Sequence, residues 1–269
     1  MRADLFLTEK GYAPSRKKAQ ILIEEGKVFV DGCIIRKASQ QIDDGEHFVS
    51  VEQSDEVRFV GRGGLKLEAA LDAFQIDANG KIALDIGAST GGFTDCLLQR
   101  GANQVFAIDA GVGQLAASLL ANPKVVSIEK LNARTLSPEH IDGAKADLIV
   151  MDVSFISATY IIPQFPALMA ENSEAVCLVK PQFEVGRAMI GKGGIVRDRV
   201  AHADAIKRVC ACATSVGLCP MHIIPSPIEG GDGNREFLLH RLFKDSYLLA
   251  NADAPVPTSM VVSHVLLIN

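Results

Sequence analysis

The 269-residue sequence predicts an α/β protein in which a parallel β-sheet, covered by helices on both faces, follows a small α+β module. From residue 81 onward, apolar strands alternate with helical patterns, which is typical of a parallel sheet. Most of these strands are continuous apolar runs, as expected for strands that are buried on both faces. The preceding residues carry instead two short helical patterns and a hairpin. We therefore expect a first domain over 1–57, a linker over 58–64, a second domain over 65–245 and a tail of unassigned role over 246–269.

The composition is that of a soluble protein with an ample core, since 48% of the residues are hydrophobic and 22% are charged. No apolar run reaches the roughly 18 residues that a membrane helix needs, and the first residues lack a secretion signal. The six cysteines show no Cys-x-x-Cys spacing and the six histidines form no ligand pairs, so we expect reduced thiols and no metal. These features predict a cytoplasmic protein. The net charge of −5 argues against a uniformly basic coat for nucleic acid.

Two short helices followed by a hairpin make up the predicted first module. Ser15 is a good N-cap for a helix that runs from Arg16 to about Glu25, and Gly26 ends that helix. Two strands follow over 27–37, with a turn at their centre.

The first module carries a local positive charge. Residues 1–37 hold eight Lys or Arg against five Asp or Glu, whereas residues 38–57 hold six acids and no Lys or Arg. Arg16, Lys17 and Lys18 lie in the first turn of the second helix, where the helix dipole disfavours cations. A phosphate backbone lying against them would account for this placement.

This segment resembles the S4 RNA-binding domain. The resemblance lies in three motifs: Arg2-x-Asp4, Ser15-Arg16-Lys17-x-Ala19 and Gly26-x-Val28-x-Val30-Asp31-Gly32. It implies that one face of the module meets structured RNA, and that this face carries Arg2, Arg16, Lys17 and Lys37. A solvated basic face on a protein-binding module is the alternative.

The segment over 57–64 holds three glycines and two arginines, which predicts a hinge, and its Arg62 joins the predicted RNA-binding residues. A helix with one apolar stripe begins at Leu65 and places Lys66 near its start. The strands that follow are predicted at 81–86, 104–109, 124–128, 147–152, 174–180, 219–225 and 236–243. Helices are predicted between several of them, notably at 93–100, 112–121 and 199–216.

The stretch over 81–92 predicts a cofactor loop. An apolar strand with Asp85 near its end runs into Gly87-x-x-x-Gly91-Gly92, and a helix then opens, so that backbone amides can approach a ligand at a helix N-terminus. The spacing differs from the Gly-x-Gly-x-x-Gly of NAD-binding proteins, and no Gly-Lys-Ser/Thr follows as in a phosphate-binding loop. Such an open loop suits S-adenosylmethionine, which has no pyrophosphate. An ordinary strand–helix turn is the alternative.

A second acid supports this interpretation. Asp109 lies at the tip of the second strand, where a carboxylate can accept both hydroxyls of a ribose. Asn132, just past the third strand, can bond an adenine edge, although a plain turn residue fits there nearly as well. The predicted cofactor-binding residues are Asp85, Gly87, Ala88, Ser89, Thr90, Gly91, Gly92, Phe93, Asp109, Asn132 and Asp152.

Four charged residues form the predicted catalytic set. Asp152 closes the fourth strand, Lys180 closes the fifth, and Glu236 opens a late strand, while Lys66 comes from the leading helix. A ribose hydroxyl must lose its proton as it attacks a sulfonium methyl, and we expect Lys180 to act as the general base. Asp152 would orient that amine and the methyl group, Lys66 would stabilise charge on the oxygen, and Glu236 would position a lysine or the ribose. A surface ion pair is the alternative for each residue taken singly.

Other methyl-transfer chemistries leave different marks after the fourth strand. Methylation of amino groups favours an Asn/Asp-Pro-Pro-aromatic loop, but this chain reads Asp152-Val153-Ser154-Phe155. Methylation of a pyrimidine carbon uses a cysteine nucleophile, and no cysteine is close to this point. Of the methyl-transfer chemistries considered, methylation of an oxygen is the one that remains.

Motifs along most of the chain resemble the TlyA family. They are Phe59-Val60-x-Arg62-Gly63-Gly64-x-Lys66-Leu67, Asp85-Ile86-Gly87-Ala88-Ser89-Thr90-Gly91-Gly92-Phe93-Thr94-Asp95, Val150-Met151-Asp152-Val153-Ser154-Phe155-Ile156, Val179-Lys180-Pro181-Gln182-Phe183-Glu184 and Gly191-Lys192-Gly193-Gly194. The resemblance implies an S4 domain ahead of an FtsJ-like domain with a Rossmann-like class I methyltransferase sheet. It also implies S-adenosylmethionine-dependent 2′-O-methylation of cytidine in ribosomal RNA, with the four charged residues above matching the family's Lys-Asp-Lys-Glu tetrad. A membrane-active haemolysin and a non-catalytic RNA-binding scaffold are the alternatives.

The segment over 184–199 holds four glycines and four cations, Arg187, Lys192, Arg197 and Arg199. It is too polar for a core and too long for a tight turn. We therefore predict a mobile cationic lid on the RNA entry side, in which Arg187 and Lys192 contact RNA.

Overall fold

The computed structural model of the protein describes residues 1–43, 45–52 and 54–243, so the predicted tail over 246–269 lies outside the described residues. The chain divides into two compact units, with the boundary between Arg62 and Gly63. No helix in the described part of the chain is long and apolar enough to cross a membrane. Within the same residues, no group of three or more His, Cys, Asp or Glu side chains is arranged to hold a metal ion.

The first unit packs helices on a three-stranded antiparallel sheet of order β2-β1-β3. Its elements are α1 (Ala3–Glu9), α2 (Arg16–Glu24), β1 (Val28–Val30), β2 (Cys33–Ile34), β3 (Val49–Val51) and α3 (Asp55–Arg58). The predicted N-cap is present, because the Ser15 hydroxyl accepts a hydrogen bond from the Lys18 backbone amide at 3.3 Å. Strand β3, which pairs with β1, was not predicted. The predicted hinge is partly core, since the side chain of Phe59 is only 2% exposed.

The second unit is built on a seven-stranded sheet of order β6-β5-β4-β7-β8-β10-β9. Its strands are β4 (Ile82–Ile86), β5 (Gln104–Ile108), β6 (Val125–Ile128), β7 (Ala146–Met151), β8 (Met169–Val179), β9 (Leu218–Pro225) and β10 (Phe237–Phe243). Strands β4 to β8 pair in parallel, whereas β10 runs antiparallel to both of its neighbours. The predicted Rossmann-like parallel sheet is therefore confirmed, with β10 as its antiparallel strand. Because β9 and β10 are joined by a connection without a crossover helix, β10 returns in the opposite direction.

The α-helices of this unit are α4 (Gly63–Phe74), α5 (Gly92–Gln99), α6 (Ala117–Leu120), α7 (Phe165–Leu168), α8 (Pro181–Glu184) and α9 (Arg199–Ser215). Helix α6 is shorter than the predicted helix over 112–121. The chain before it forms a loop in which the Glu129 carboxylate accepts a hydrogen bond from the Gly113 amide at 2.7 Å. A large buried cluster lies between the sheet and α9, and it holds apolar residues of β4, β5, β7, β8 and β10. The strands whose carboxyl ends carry the polar groups are thus held in place by this buried core.

Candidate active site

The loop after β4 has no room for side chains at two glycines. Gly87 has a φ of +87°, and a Cβ atom placed there would lie 2.4 Å from the Asp152 carbonyl oxygen. Gly91 has a φ of +95°, and its Cβ would lie 2.2 Å from the Leu119 side chain. Both the backbone conformation and the close packing therefore require glycine at these positions. The first glycine of the loop thus packs against the end of β7, and the last one before α5 packs against α6.

Asp109 follows β5 and shapes the other side of this loop. Its carboxylate accepts hydrogen bonds from the backbone amides of Ser89 and Gly111, each at 2.7 Å. A carboxylate has about four acceptor positions, so two remain for the hydroxyls of a ribose. Asn132 caps the 3₁₀ helix Ala133–Thr135 by accepting a hydrogen bond from the Arg134 amide at 3.1 Å.

Two adjoining cavities lie at this edge of the sheet. The larger has a volume of about 380 Å³, and its lining includes Asp109 and Asn132. The smaller has a volume of about 190 Å³ and is lined by Thr90, Phe93 and Lys180. The two cavities share four lining residues, which are Gly87, Ser89, Asp152 and Ser154. A ligand with a nucleoside at one end and a short polar tail at the other can therefore occupy both.

Asp85 is a buried acid in β4, with 0% of its surface exposed. One carboxylate oxygen accepts a hydrogen bond from the Thr94 hydroxyl at 2.6 Å, and the other, Oδ1, has no hydrogen-bond partner among the described residues. The pKa of this carboxyl is raised from its ordinary 3.8 to about 7, mainly by burial and also by the negative charges of Asp152 and Asp109, against the opposing effect of the hydrogen bonds from Thr94. The three acids are thus close enough to interact electrostatically, and a cationic ligand bound beside them would reduce their repulsion.

The structure brings the four predicted catalytic residues into two pairs. The Lys180 Nζ lies 2.6 Å from Oδ1 of Asp152, and it also donates a hydrogen bond of 2.8 Å to the Ser154 hydroxyl. The Lys66 Nζ donates a hydrogen bond of 2.6 Å to Oε2 of Glu236. Lys66 is buried, although a lysine at a helix start is ordinarily solvated.

The sheet register relates the two pairs. Phe237 pairs with Val179, so the same antiparallel ladder places Glu236 opposite Lys180. Gly230 leaves room for the acid, since a Cβ atom there would lie 2.5 Å from the Glu236 Oε1. The register therefore brings one residue of each ion pair, Glu236 and Lys180, to the carboxyl end of β8.

The segment predicted as a lid is anchored near its end. The Asn234 carboxamide accepts a hydrogen bond from the Val196 amide at 2.9 Å and donates one of 3.0 Å to the Gly194 carbonyl. Val196 is buried, and its carbonyl lies 2.8 Å from Nε2 of His202. The expectation that the whole segment is too polar for the core is therefore wrong at Val196. Asn234, which sequence reasoning missed, ties this segment to the chain two residues before Glu236.

Phe155 is a second residue that sequence reasoning missed. It has a φ of +65° and its side chain is 92% exposed, beside the cavity that Ser154 and Asp152 also line. A bulky residue with positive φ is rare, and such conformations cluster at functional sites. Its ring lies 5.5 Å from that of Phe183, measured between centroids. The signal in the sequence is an aromatic residue three positions after Asp152, which is predicted to be catalytic.

The predicted RNA-binding residues fall on both units. In the first unit, the buried Asp4 accepts hydrogen bonds from Arg2 at 2.9 Å and from Arg16 at 2.8 Å, so both guanidinium groups are held in place while still half exposed. These bonds hold the pKa of the Asp4 carboxyl well below its usual range. The remaining members of the predicted set are all exposed: Lys17, Lys37 and Arg62 in the first unit, and Arg187 and Lys192 in the second.

Comparison with known proteins gives two family matches. The model of the FtsJ-like methyltransferase family matches residues 59–243, and the S4 domain model matches residues 1–48. Among curated relatives, the chain is 43% identical to the 16S/23S rRNA (cytidine-2′-O)-methyltransferase TlyA of Mycobacterium tuberculosis over 238 residues, which cover 88% of each protein. It is 40% identical to Hemolysin A of Brachyspira hyodysenteriae over 240 residues, which cover 89% of this chain and 99% of that protein. A solved structure from Streptococcus thermophilus, described as a candidate hemolysin, has a TM-score of 0.71 and 36% identity, and covers 99% of this chain and 95% of its own.

Proposed function

The chain belongs to the TlyA family of FtsJ-like methyltransferases with an S4 domain, and from this membership we propose that it methylates the 2′-hydroxyl of cytidine in ribosomal RNA. The methyl donor is S-adenosylmethionine. The observation that carries the proposal is the pairing of Lys180 with Asp152 where two ligand-sized cavities meet.

The site fits this donor. The larger cavity suits the adenosine half, with Asp109 facing its ribose and Asn132 near its base, and the smaller cavity suits the methionine half. Asp109 and Asp152 line the larger cavity, and their carboxylates suit a ligand with a net positive charge. When bound, S-adenosylmethionine supplies an electrophilic methyl group on a positively charged sulfur.

The residues around that methyl group divide the remaining work. Lys180, acting as the neutral amine, accepts the proton of the 2′-hydroxyl as the oxygen attacks and becomes an ammonium group, and Asp152, 2.6 Å away, stabilises that charge. Lys66 stabilises the negative charge that grows on the oxygen, and Glu236 holds Lys66 in place through their 2.6 Å bond. The pair of Lys180 and Asp152 thus takes up the proton, and the pair of Lys66 and Glu236 stabilises the developing negative charge.

RNA binding uses both units. In the first unit, Arg2 and Arg16 present donors that the buried Asp4 has already oriented, which suits contacts to phosphates. In the second unit, the exposed ring of Phe155 offers a stacking surface for a base next to Lys180. A target ribose can reach the site only if its base leaves the helical stack, and an aromatic surface compensates for the lost stacking.

A methyl-transfer assay tests the proposal. The pure protein, S-adenosylmethionine labelled in its methyl group and ribosomal subunits from a strain lacking this protein are combined, and labelled nucleosides are identified by mass spectrometry. We expect 2′-O-methylcytidine with the wild type and none with Lys180→Met, whose cofactor affinity stays within a few-fold of the wild type. A Lys207→Met variant, changed at an exposed lysine of α9, serves as the matched control. A wild type that binds cofactor and RNA yet transfers no methyl group would favour the scaffold alternative.

A further inference from the structure

Ser154 contacts the proposed base but is not one of the four charged residues. It lies two residues after Asp152, is exposed, and lines both cavities. Its hydroxyl accepts a hydrogen bond of 2.8 Å from the Lys180 Nζ. It therefore stands at the junction where the ribose hydroxyl and the methyl group must meet.

The geometry of a primary amine gives this contact a role. The Nζ atom of lysine has four tetrahedral directions, and the bond to Cε takes one. In this site the Ser154 hydroxyl accepts a hydrogen bond of 2.8 Å from Nζ and so occupies a second, whereas the Asp152 carboxylate lies 2.6 Å from Nζ as an ion pair. In the neutral amine one of the other two directions holds the lone pair that accepts a proton.

Without the hydroxyl, the amine loses this hydrogen bond and keeps the ion pair with Asp152. A single ion pair leaves Nζ free to rotate about its bond to Cε, because an ammonium or amine group bonds equally well through any of its hydrogens. Rotation turns the lone pair away from the substrate, and small errors of position cost about a hundredfold in rate. The second contact therefore fixes the direction in which the base acts.

We propose that Ser154 is a positioning residue that directs the lone pair of Lys180 toward the 2′-hydroxyl. This inference rests on the proposed function. The proton passes from the hydroxyl oxygen to Nζ, the oxygen bonds to the methyl carbon, and the electron pair of the sulfur–carbon bond stays on sulfur. Once Nζ carries the proton, the Ser154 oxygen and the Asp152 carboxylate stabilise the ammonium group.

The test compares Ser154→Ala with Ser154→Thr, which keeps a hydroxyl, and with Ser215→Ala, a surface serine of α9 that is remote in sequence from the loop. Single-turnover methyl transfer is measured from pH 6 to pH 10, and cofactor and RNA affinities are measured by calorimetry. We expect Ser154→Ala to lower the plateau rate by about 10- to 100-fold while both affinities stay within about twofold. The pH of half-maximal rate should also fall, because the ammonium form loses an acceptor. Ser154→Thr should recover most of the rate and the pH profile.

Several outcomes would overturn the role of Ser154. A wild-type rate for Ser154→Ala would do so, as would an equal loss for the alanine and threonine variants. A loss of cofactor affinity as large as the loss of rate would make Ser154 a cofactor contact instead. An inactive wild type would overturn the proposed function itself, and that result is separate because it is seen before any variant is compared.

Discussion

The raised pKa of Asp85 leads to a prediction about stability near neutral pH. This acid has a pKa of about 7 in the folded protein against 3.8 ordinarily, so between these values the folded state holds a proton that the unfolded state has lost. Folding stability contributed by this proton is present at low pH and is lost as pH rises toward 7. From pH 5 to pH 8 the loss amounts to about 3 kcal/mol for a group with these two values.

Asp85→Asn removes this dependence, because an amide does not ionise. Its oxygen still accepts the Thr94 hydrogen bond, whose length is 2.6 Å in the wild type. We therefore expect the variant to be more stable than the wild type at pH 8, by about 1–3 kcal/mol once the cost of a buried amide hydrogen without a partner is included. The two proteins should have similar stability at pH 5.

Amide hydrogen exchange of the peptides that span β4, β5 and β7 measures the stability of this unit at each pH. Asp204→Asn, at an exposed acid of α9, is the matched control and should follow the wild type. Calorimetry with S-adenosylmethionine gives a second measurement, since a cationic ligand favours the ionised acid. Wild-type affinity should rise by up to tenfold per pH unit below 7 and then level off, whereas the variant should be flat. Parallel stability curves for the wild type and Asp85→Asn would refute the reasoning.

Four further changes have defined outcomes. Asp109→Ala should weaken cofactor binding by about 10- to 100-fold in calorimetry, because two hydrogen bonds to a charged group are lost, while RNA affinity should not change. Glu236→Ala should destabilise the second unit by about 3–5 kcal/mol in urea denaturation, and replacing Lys66 by methionine in the same protein should restore stability but not activity. Asp4→Asn should lower RNA affinity several-fold and flatten its dependence on salt in filter binding, since two arginines lose their anchor. Phe155→Ala should weaken RNA binding by about 1–3 kcal/mol, and Phe155→Tyr should not, so an equal loss for both would exclude stacking.

The sequence predicted the parts of the fold that depend on short-range patterns. Continuous apolar runs located all seven strands of the larger sheet to within a few residues, apart from the start of β8, because burial on both faces leaves a clear signal. The direction of β10 was not predictable in this way, since an apolar run reads alike in both directions. The helix predicted over 112–121 forms only at Ala117–Leu120, because Gly113 and the Glu129 carboxylate stabilise a loop ahead of it.

The sequence predicted those residues of the candidate site that are charged and lie at the ends of strands. Placing Lys180 and Asp152 at the ends of neighbouring parallel strands required only the rule that such ends share one edge of the sheet. The contact of Ser154 with Lys180, the exposure of Phe155 and the bonds of Asn234 were not predictable. Each depends on a backbone angle or a side-chain direction in a loop, and residue type alone does not determine these.

Asn234 connects the segment over 184–199 to the strand that follows Glu236. One side chain holds the cation-bearing segment at Gly194 and Val196, and its own backbone leads within two residues to Glu236. The position of that segment is thus linked through one carboxamide to the chain that carries the partner of Lys66. Substituting Asn234 is therefore expected to release the segment and to disturb Glu236 at the same time.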